Sequence, residues 1–182
     1  MTQRLNVGDT ALVVVDMQER LLPAIHGNER VLSNTRLLLR AASALDLPVV
    51  MTTQYSKGLG PTQGSVAELA PGTTPIDKLT FSCFGSSDFK QAVAATGRHT
   101  LLLCGVEAHI CVLQTGLDAM AAGYQVHLAT DATGSRAPEN AALGQRRLEL
   151  AGAVLSSTEM AIYELLGASG TPAFKALLPH FK

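Results

Sequence analysis

The chain has 182 residues, 47% of them apolar and 16% charged, with a formal net charge of -1. That length suits a single domain, 1–182, with its own core, and the even balance of charge excludes a basic nucleic-acid footprint or an acidic tail. So weakly charged a surface also predicts that part of it is covered in a homo-oligomer.

Met1 to Thr10 contains no apolar run of signal-peptide length, and no stretch approaches the ~20 apolar residues of a membrane span. No membrane association is expected. The three cysteines, Cys83, Cys104 and Cys111, form neither a CxxC pair nor an even disulfide framework, which favours free thiols in a reducing compartment such as the cytoplasm.

In chain order, short apolar runs alternate with helical patterns, the sequence form of a parallel sheet covered by helices. Strands are predicted at Ala11 to Val15, Pro48 to Thr52, Pro75 to Leu79, Thr100 to Cys104, Gln125 to Ala129 and Ala153 to Ser156. Helices are predicted at Glu29 to Leu45, Ser86 to Thr96, Cys111 to Ala122, Pro138 to Ala151 and Thr158 to Leu166. Gly123 suits a left-handed C-cap, Pro138 a first turn, and Thr158 with Glu159 an N-terminal cap. The stretch from Gln54 to Thr74 reads as a long functional loop, and the tail from Thr171 to Lys182 as a short helix docked on a neighbour or a loose terminus.

In such a fold ligands collect beyond the carboxyl ends of the strands, so candidate residues sit just after them. Asp16 follows the first strand, Lys78 lies late in the third, and Cys111 comes shortly after the fourth. A helix starting at Cys111 would favour a thiolate and bind an oxyanion beside it. Asp16, desolvated at the end of an apolar strand, would take the thiol proton, with Lys78 balancing the charge. The structural alternatives are a packed thiol, a capping carboxylate and a solvated ammonium. His109 is a rival base, but its two-residue spacing from Cys111 places the pair on different helix faces. The other histidines have no metal-ligand spacing, and no GxGxxG or phosphate loop occurs, so neither metal nor cofactor is indicated.

Three blocks together carry a resemblance: Val13-Val14-Val15-Asp16-Met17-Gln18, Asp77-Lys78-Leu79-Thr80-Phe81-Ser82, and Cys104-Gly105-Val106-Glu107-Ala108-His109-Ile110-Cys111-Val112. In this order they resemble the isochorismatase-like cysteine hydrolases, and within them the small isochorismatase-domain-containing hydrolases, which the chain also resembles at Gln54-Tyr55-Ser56-Lys57-Gly58-Leu59-Gly60. The resemblance implies a three-layer αβα Rossmann-like fold with a six-stranded parallel sheet. It carries a catalytic triad onto Asp16, Lys78 and Cys111. It also implies a cis peptide between Val106 and Glu107, with the N–H groups of Glu107 and Cys111 as an oxyanion hole. Where metal-dependent relatives place an aspartate and histidines, this chain has Thr52-Thr53-Gln54-Tyr55-Ser56-Lys57, so no metal site is implied.

Gln18, Gln54, Tyr55, Phe81 and Phe84 fall where they could line a substrate pocket, or else serve as core filler or surface polar groups. The function expected is cleavage of a small amide, carbamoyl or related C–N substrate through a Cys111 adduct. The alternatives are a binding or scaffolding protein that keeps the fold, and a redox sensor built on Cys111. The sensor lacks an evident resolving thiol, because Cys104 is expected inside a strand.

Overall fold

The computed structural model describes residues 4–181. Six strands form one sheet: β1 (Thr10–Val15), β2 (Val49–Gln54), β3 (Ile76–Lys78), β4 (Thr100–Val106), β5 (Gln125–Gly134) and β6 (Val154–Ser156). Their order is β3-β2-β1-β4-β5-β6 and every pairing is parallel. The direction of winding reverses between β1 and β4, and in sheets of this kind ligands collect beyond the strand ends at that point.

Burial on both sides explains the nearly unbroken apolar strands. Alternate residues of β1 and β4 point to opposite faces. Leu12, Val14, Leu102 and Cys104 pack under the helices on one side, with Val31, Leu38 and Leu39 of α1 (Asn28–Ala44) and Ile162 and Leu165 of α7 (Thr158–Leu166). Ala11, Val13, Val15, Leu101 and Leu103 pack on the other, with Phe89 and Val93 of α4 (Ser87–Ala95), Leu113 of α5 (Leu113–Ala121) and Leu148 of α6 (Pro138–Ala151). The three-layer arrangement matches the sequence expectation.

Several local readings change. The stretch from Gln54 to Thr74 is not structureless, since it carries the one-turn helices α2 (Ser56–Leu59) and α3 (Gly64–Ala67). Gly105 lies inside β4, beyond the predicted strand end at Cys104: a Cβ there would stand 2.1 Å from the Val15 carbonyl oxygen, so only glycine lets β4 lie this close to β1. The cap of α7 is Ser157, whose side chain accepts the Met160 N–H, while Thr158 donates to Asp131. The tail forms α8 (Pro172–Leu177) and folds back on α1 of its own chain, with Phe181 against Tyr163 at 5.2 Å between ring centroids.

Candidate active site

Asp16 is the first residue beyond β1, in the left-handed region at φ 53°, and it is fully buried. A carboxylate in such a place is costly unless both oxygens are engaged. Here they are: Oδ1 accepts from the Thr52 hydroxyl at 2.8 Å and Oδ2 from Lys78 Nζ at 2.9 Å. The Asp16 N–H donates to the Thr52 carbonyl at 3.2 Å, so the neighbouring strand grips the residue twice.

Lys78 ends β3 opposite Gln54, and its side chain is 1% exposed. Its three ammonium hydrogens match three acceptors, Asp16, Gln54 Oε1 at 2.8 Å and the Phe81 carbonyl at 3.3 Å. Burial works against the charge, but Asp16 beside it outweighs burial and raises the Lys78 pKa above its usual value. The structural alternative of a solvated ammonium does not apply.

Cys111 lies beyond the end of β4, on the other side of the winding reversal, and it is 3% exposed. Asp16 and Lys78 both act on its thiol: burial and then the Asp16 charge raise its pKa, while Lys78 pulls it down, and the net shift is upward. The resting group is therefore a thiol. This differs from the thiolate expected at a helix start, because the helix does not begin at Cys111. Ala108–Val112 form a π turn that leads into α5 at Leu113, and π turns of this kind recur at functional sites. Gly144 of α6 lets that turn pack closely, for a Cβ there would meet the Ala108 carbonyl oxygen at 2.7 Å.

The expected cis peptide is corrected: no cis bond occurs among the described residues, so Val106–Glu107 is trans. The chain turns instead through Glu107 itself, left-handed at φ 57°, whose carbonyl accepts the N–H groups of Ile110 and Val112 at 2.9 and 3.2 Å. The Glu107 side chain is 7% exposed and takes a hydrogen bond from Arg136 Nε. His109 turns to Ser135, with Nδ1 2.9 Å from its hydroxyl. It engages Ser135 and Glu107 rather than any of the three site groups.

The five pocket candidates divide. Gln54 touches Lys78 directly. Tyr55 and Phe81 stand exposed at the rim beside Leu79. Gln18 is corrected to a fully buried clamp, with Nε2 donating to the carbonyls of Gln54 and Gly60 at 3.0 and 2.8 Å and Oε1 accepting the Gln54 N–H at 2.8 Å. Phe84 is partly buried and packs against Phe89 and Tyr124, with ring centroids at 5.3 and 5.8 Å.

Sequence reasoning missed two residues that reach the site, Thr52 and Cys83. Cys83 is fully buried on the same side of the sheet as Cys111, its sulfur 3.7 Å from Thr52 Oγ1, and burial lifts its pKa to about 11. Cys104 lies on the opposite face, its thiol directed at the Val13 carbonyl. The available signal was the position of Cys83 immediately after the block that carries Lys78. Among the described residues no three His, Cys, Asp or Glu side chains form a group able to hold a metal ion.

Comparison with known proteins follows this geometry. A family model described as the isochorismatase domain matches residues 10–160. The "Secreted isochorismatase effector Isc1" of Phytophthora sojae is 35% identical over 178 residues, covering 96% of this chain and 85% of its own, and vertebrate proteins named isochorismatase domain-containing protein 2 also match. Two solved structures superpose closely. One, described as the MAR1 ribonuclease of Caenorhabditis elegans, has a TM-score of 0.91 and 34% identity, covering 97% of this chain and 91% of that one. The other, the Escherichia coli ycaC product described as an octameric hydrolase of unknown specificity, has a TM-score of 0.94 and 27% identity, covering 100% of this chain and 90% of that one. With the family model spanning most of the chain and the six-stranded parallel sheet already described, the protein belongs to the isochorismatase family and carries its hydrolase fold.

Proposed function

We propose that the protein is a cofactor-free cysteine hydrolase acting on a small amide, carbamoyl or related C–N substrate. The observation that carries this reading is the dry Asp16–Lys78 ion pair placed where its charges bear on the Cys111 thiol. Such an arrangement is expensive to bury and suits a proton acceptor held beside a nucleophile.

Because Cys111 rests as a thiol, attack and proton transfer are coupled. Asp16 takes the S–H proton as sulfur adds to the substrate carbon, and the Cys111 N–H, with the Glu107 N–H, binds the developing oxyanion. Asp16 returns the proton to the leaving nitrogen. Water, activated by the same carboxylate, then cleaves the thioester and restores the thiol. Lys78 keeps the carboxylate placed and balances its charge throughout. Gln54, Tyr55 and Phe81 line the mouth on the β2–β3 side.

The E. coli neighbour is described as octameric, and here Tyr55, Leu79 and Phe81 expose 50, 74 and 55% of their surfaces at the rim. A homo-oligomer is part of the proposal, and a light-scattering mass above that of one chain tests it. Nucleic acid is not the proposed substrate, because 14 Lys and Arg are offset by 15 Asp and Glu. The proposed compartment is the cytoplasm, testable by fractionation. No helix among the described residues is long and apolar enough to cross a membrane.

The deciding experiment exposes the protein to a panel of small amides and carbamoyl compounds and reads Cys111 by mass spectrometry. An acyl adduct that turns over in the wild type and is absent from Cys111→Ala is expected. Unchanged turnover in Cys111→Ala or Asp16→Asn would overturn the mechanism.

A further inference from the structure

We propose that Thr52 and Cys83 are positioning residues, forming a hydrogen-bonded strap that ties the Asp16 carboxylate to the helix following Cys111. The inference rests on the reading of Asp16 as the base, and its geometry is independent of the substrate. Thr52 Oγ1 lies 2.8 Å from Asp16 Oδ1 and 3.7 Å from Cys83 Sγ. The Cys83 N–H donates to Thr115 Oγ1 at 2.9 Å, and Thr115 sits four residues beyond Cys111. A path of polar contacts therefore runs from Asp16 through Thr52 and Cys83 to Thr115, all of it among buried residues.

The direction of each bond follows from the donor inventory. Asp16 is ionised against Lys78 and has no hydrogen to give, so the single Thr52 hydroxyl hydrogen goes to Oδ1. What remains on Thr52 Oγ1 is a lone pair, which leaves Cys83 as the only possible donor in the second contact. Cys83 is thus held as an S–H aimed at Thr52, and its donation polarises the hydroxyl and strengthens the bond to the carboxylate. The loop bearing Cys83 is itself tied to α5, since Ser82 Oγ donates to Asp118 Oδ2 at 2.6 Å. Drawing carboxylate charge toward Thr52 lessens the repulsion that Asp16 exerts on a Cys111 thiolate.

Two readouts test the strap without a substrate. The first is the infrared S–H stretching band of Cys83, assigned by its loss in Cys83→Ser. In Thr52→Val this band moves to the higher frequency of an unbonded thiol, and in Thr52→Ser it stays in place. The second is iodoacetamide alkylation of Cys111 against pH, followed by mass spectrometry. Thr52→Val lowers the rate below the midpoint by about threefold and moves the midpoint to higher pH, and Thr52→Ser restores both. A merely structural threonine would change thermal stability and leave the midpoint alone.

If Thr52→Val does not fold, Cys83→Ala replaces it, with a rate loss of about twofold that Cys83→Ser recovers. An unmoved S–H band together with an unchanged alkylation midpoint overturns the proposal. Failure to trap an acyl adduct would count against the hydrolase reading while leaving the band shift in place, so the two ideas fail separately.

Discussion

Asp16 and Glu107 invite comparison. Each is a carboxylate at the carboxyl end of a central strand, in left-handed backbone at φ 53° and 57°, and each is nearly or fully buried. They differ in their partners. Both oxygens of Asp16 are bonded and its cation, Lys78, is 1% exposed, whereas Glu107 pairs with an Arg136 side chain that is 60% exposed and leaves Oε2 without a hydrogen bond among the described residues. The same backbone device thus supports two electrostatic situations. A dry pair costs much to bury and much to break, while a pair opening to water is screened and contributes little. Strained, desolvated carboxylates gather where chemistry is done, and here only one of the two is fully engaged.

The largest expected effect lies at the closed end. On a substrate found by adduct trapping, Asp16→Asn and Cys111→Ala each lower kcat by about 10⁴-fold or more, and Glu107→Gln costs far less. Equal losses at Asp16 and Glu107 would erase the distinction.

Next in size is stability. Lys78→Met leaves the Asp16 charge buried without its cation and lowers unfolding free energy by about 3–5 kcal/mol in urea titration, against about 1 kcal/mol for Arg136→Ala. Similar costs for the two cations would show that exposure does not govern these pairs.

A smaller effect concerns acid. His127 is buried with neither ring nitrogen bonded among the described residues, and burial lowers its pKa despite the Glu164 charge nearby. The folded chain then binds this proton less readily than the unfolded chain. Its contribution to stability is present above the ordinary histidine pKa of ~6.5 and is lost as pH falls from there toward the lowered value. Melting temperature measured from pH 7.5 to 5 should fall less steeply in His127→Leu than in the wild type. Because Lys78 has a raised pKa, the stability its pairing provides is present through neutral pH and declines only in strong alkali, so the wild-type curve has no step between pH 7 and 9 from this pair.

The smallest effect separates the two core thiols. Cys104, on the sheet face opposite Cys111 and with its pKa pushed up to about 12 by burial, should resist iodoacetamide in the folded protein at least as strongly as Cys83. Alkylation of Cys104 ahead of Cys111 would contradict the placement.

Much of this molecule was legible from one sequence. Strands such as Thr100–Val106 and helices such as Pro138–Ala151 follow from runs of residues whose spacing matches a local period, so fold class and order of elements were open to inspection. Asp16 was also readable, because a charged residue at the end of an apolar strand stands out against its neighbours, and Lys78 because it lies late in a predicted strand. Gln18 and Phe84 were not, since whether a side chain enters a pocket or a core depends on the direction it takes after folding. The π turn that carries Cys111 escaped for a related reason: its 108–112 segment differs from a regular helix by one residue of winding, which no apolar pattern records.

By itself, then, the amino-acid order determined the alternating elements, the exclusion of classes such as basic nucleic-acid binders, and the three stretches that supply Asp16, Lys78 and Cys111. Only the tertiary structure decided that Thr52 and Cys83 stand behind the carboxylate, that Cys104 faces away, and that a trans bond with a left-handed Glu107 shapes the turn before Cys111. Local periodicity is a property of neighbours along the chain, whereas hydrogen-bond partners 31 and 36 residues apart, as Thr52 has in Cys83 and Asp16, exist only once strand register and sheet face are set.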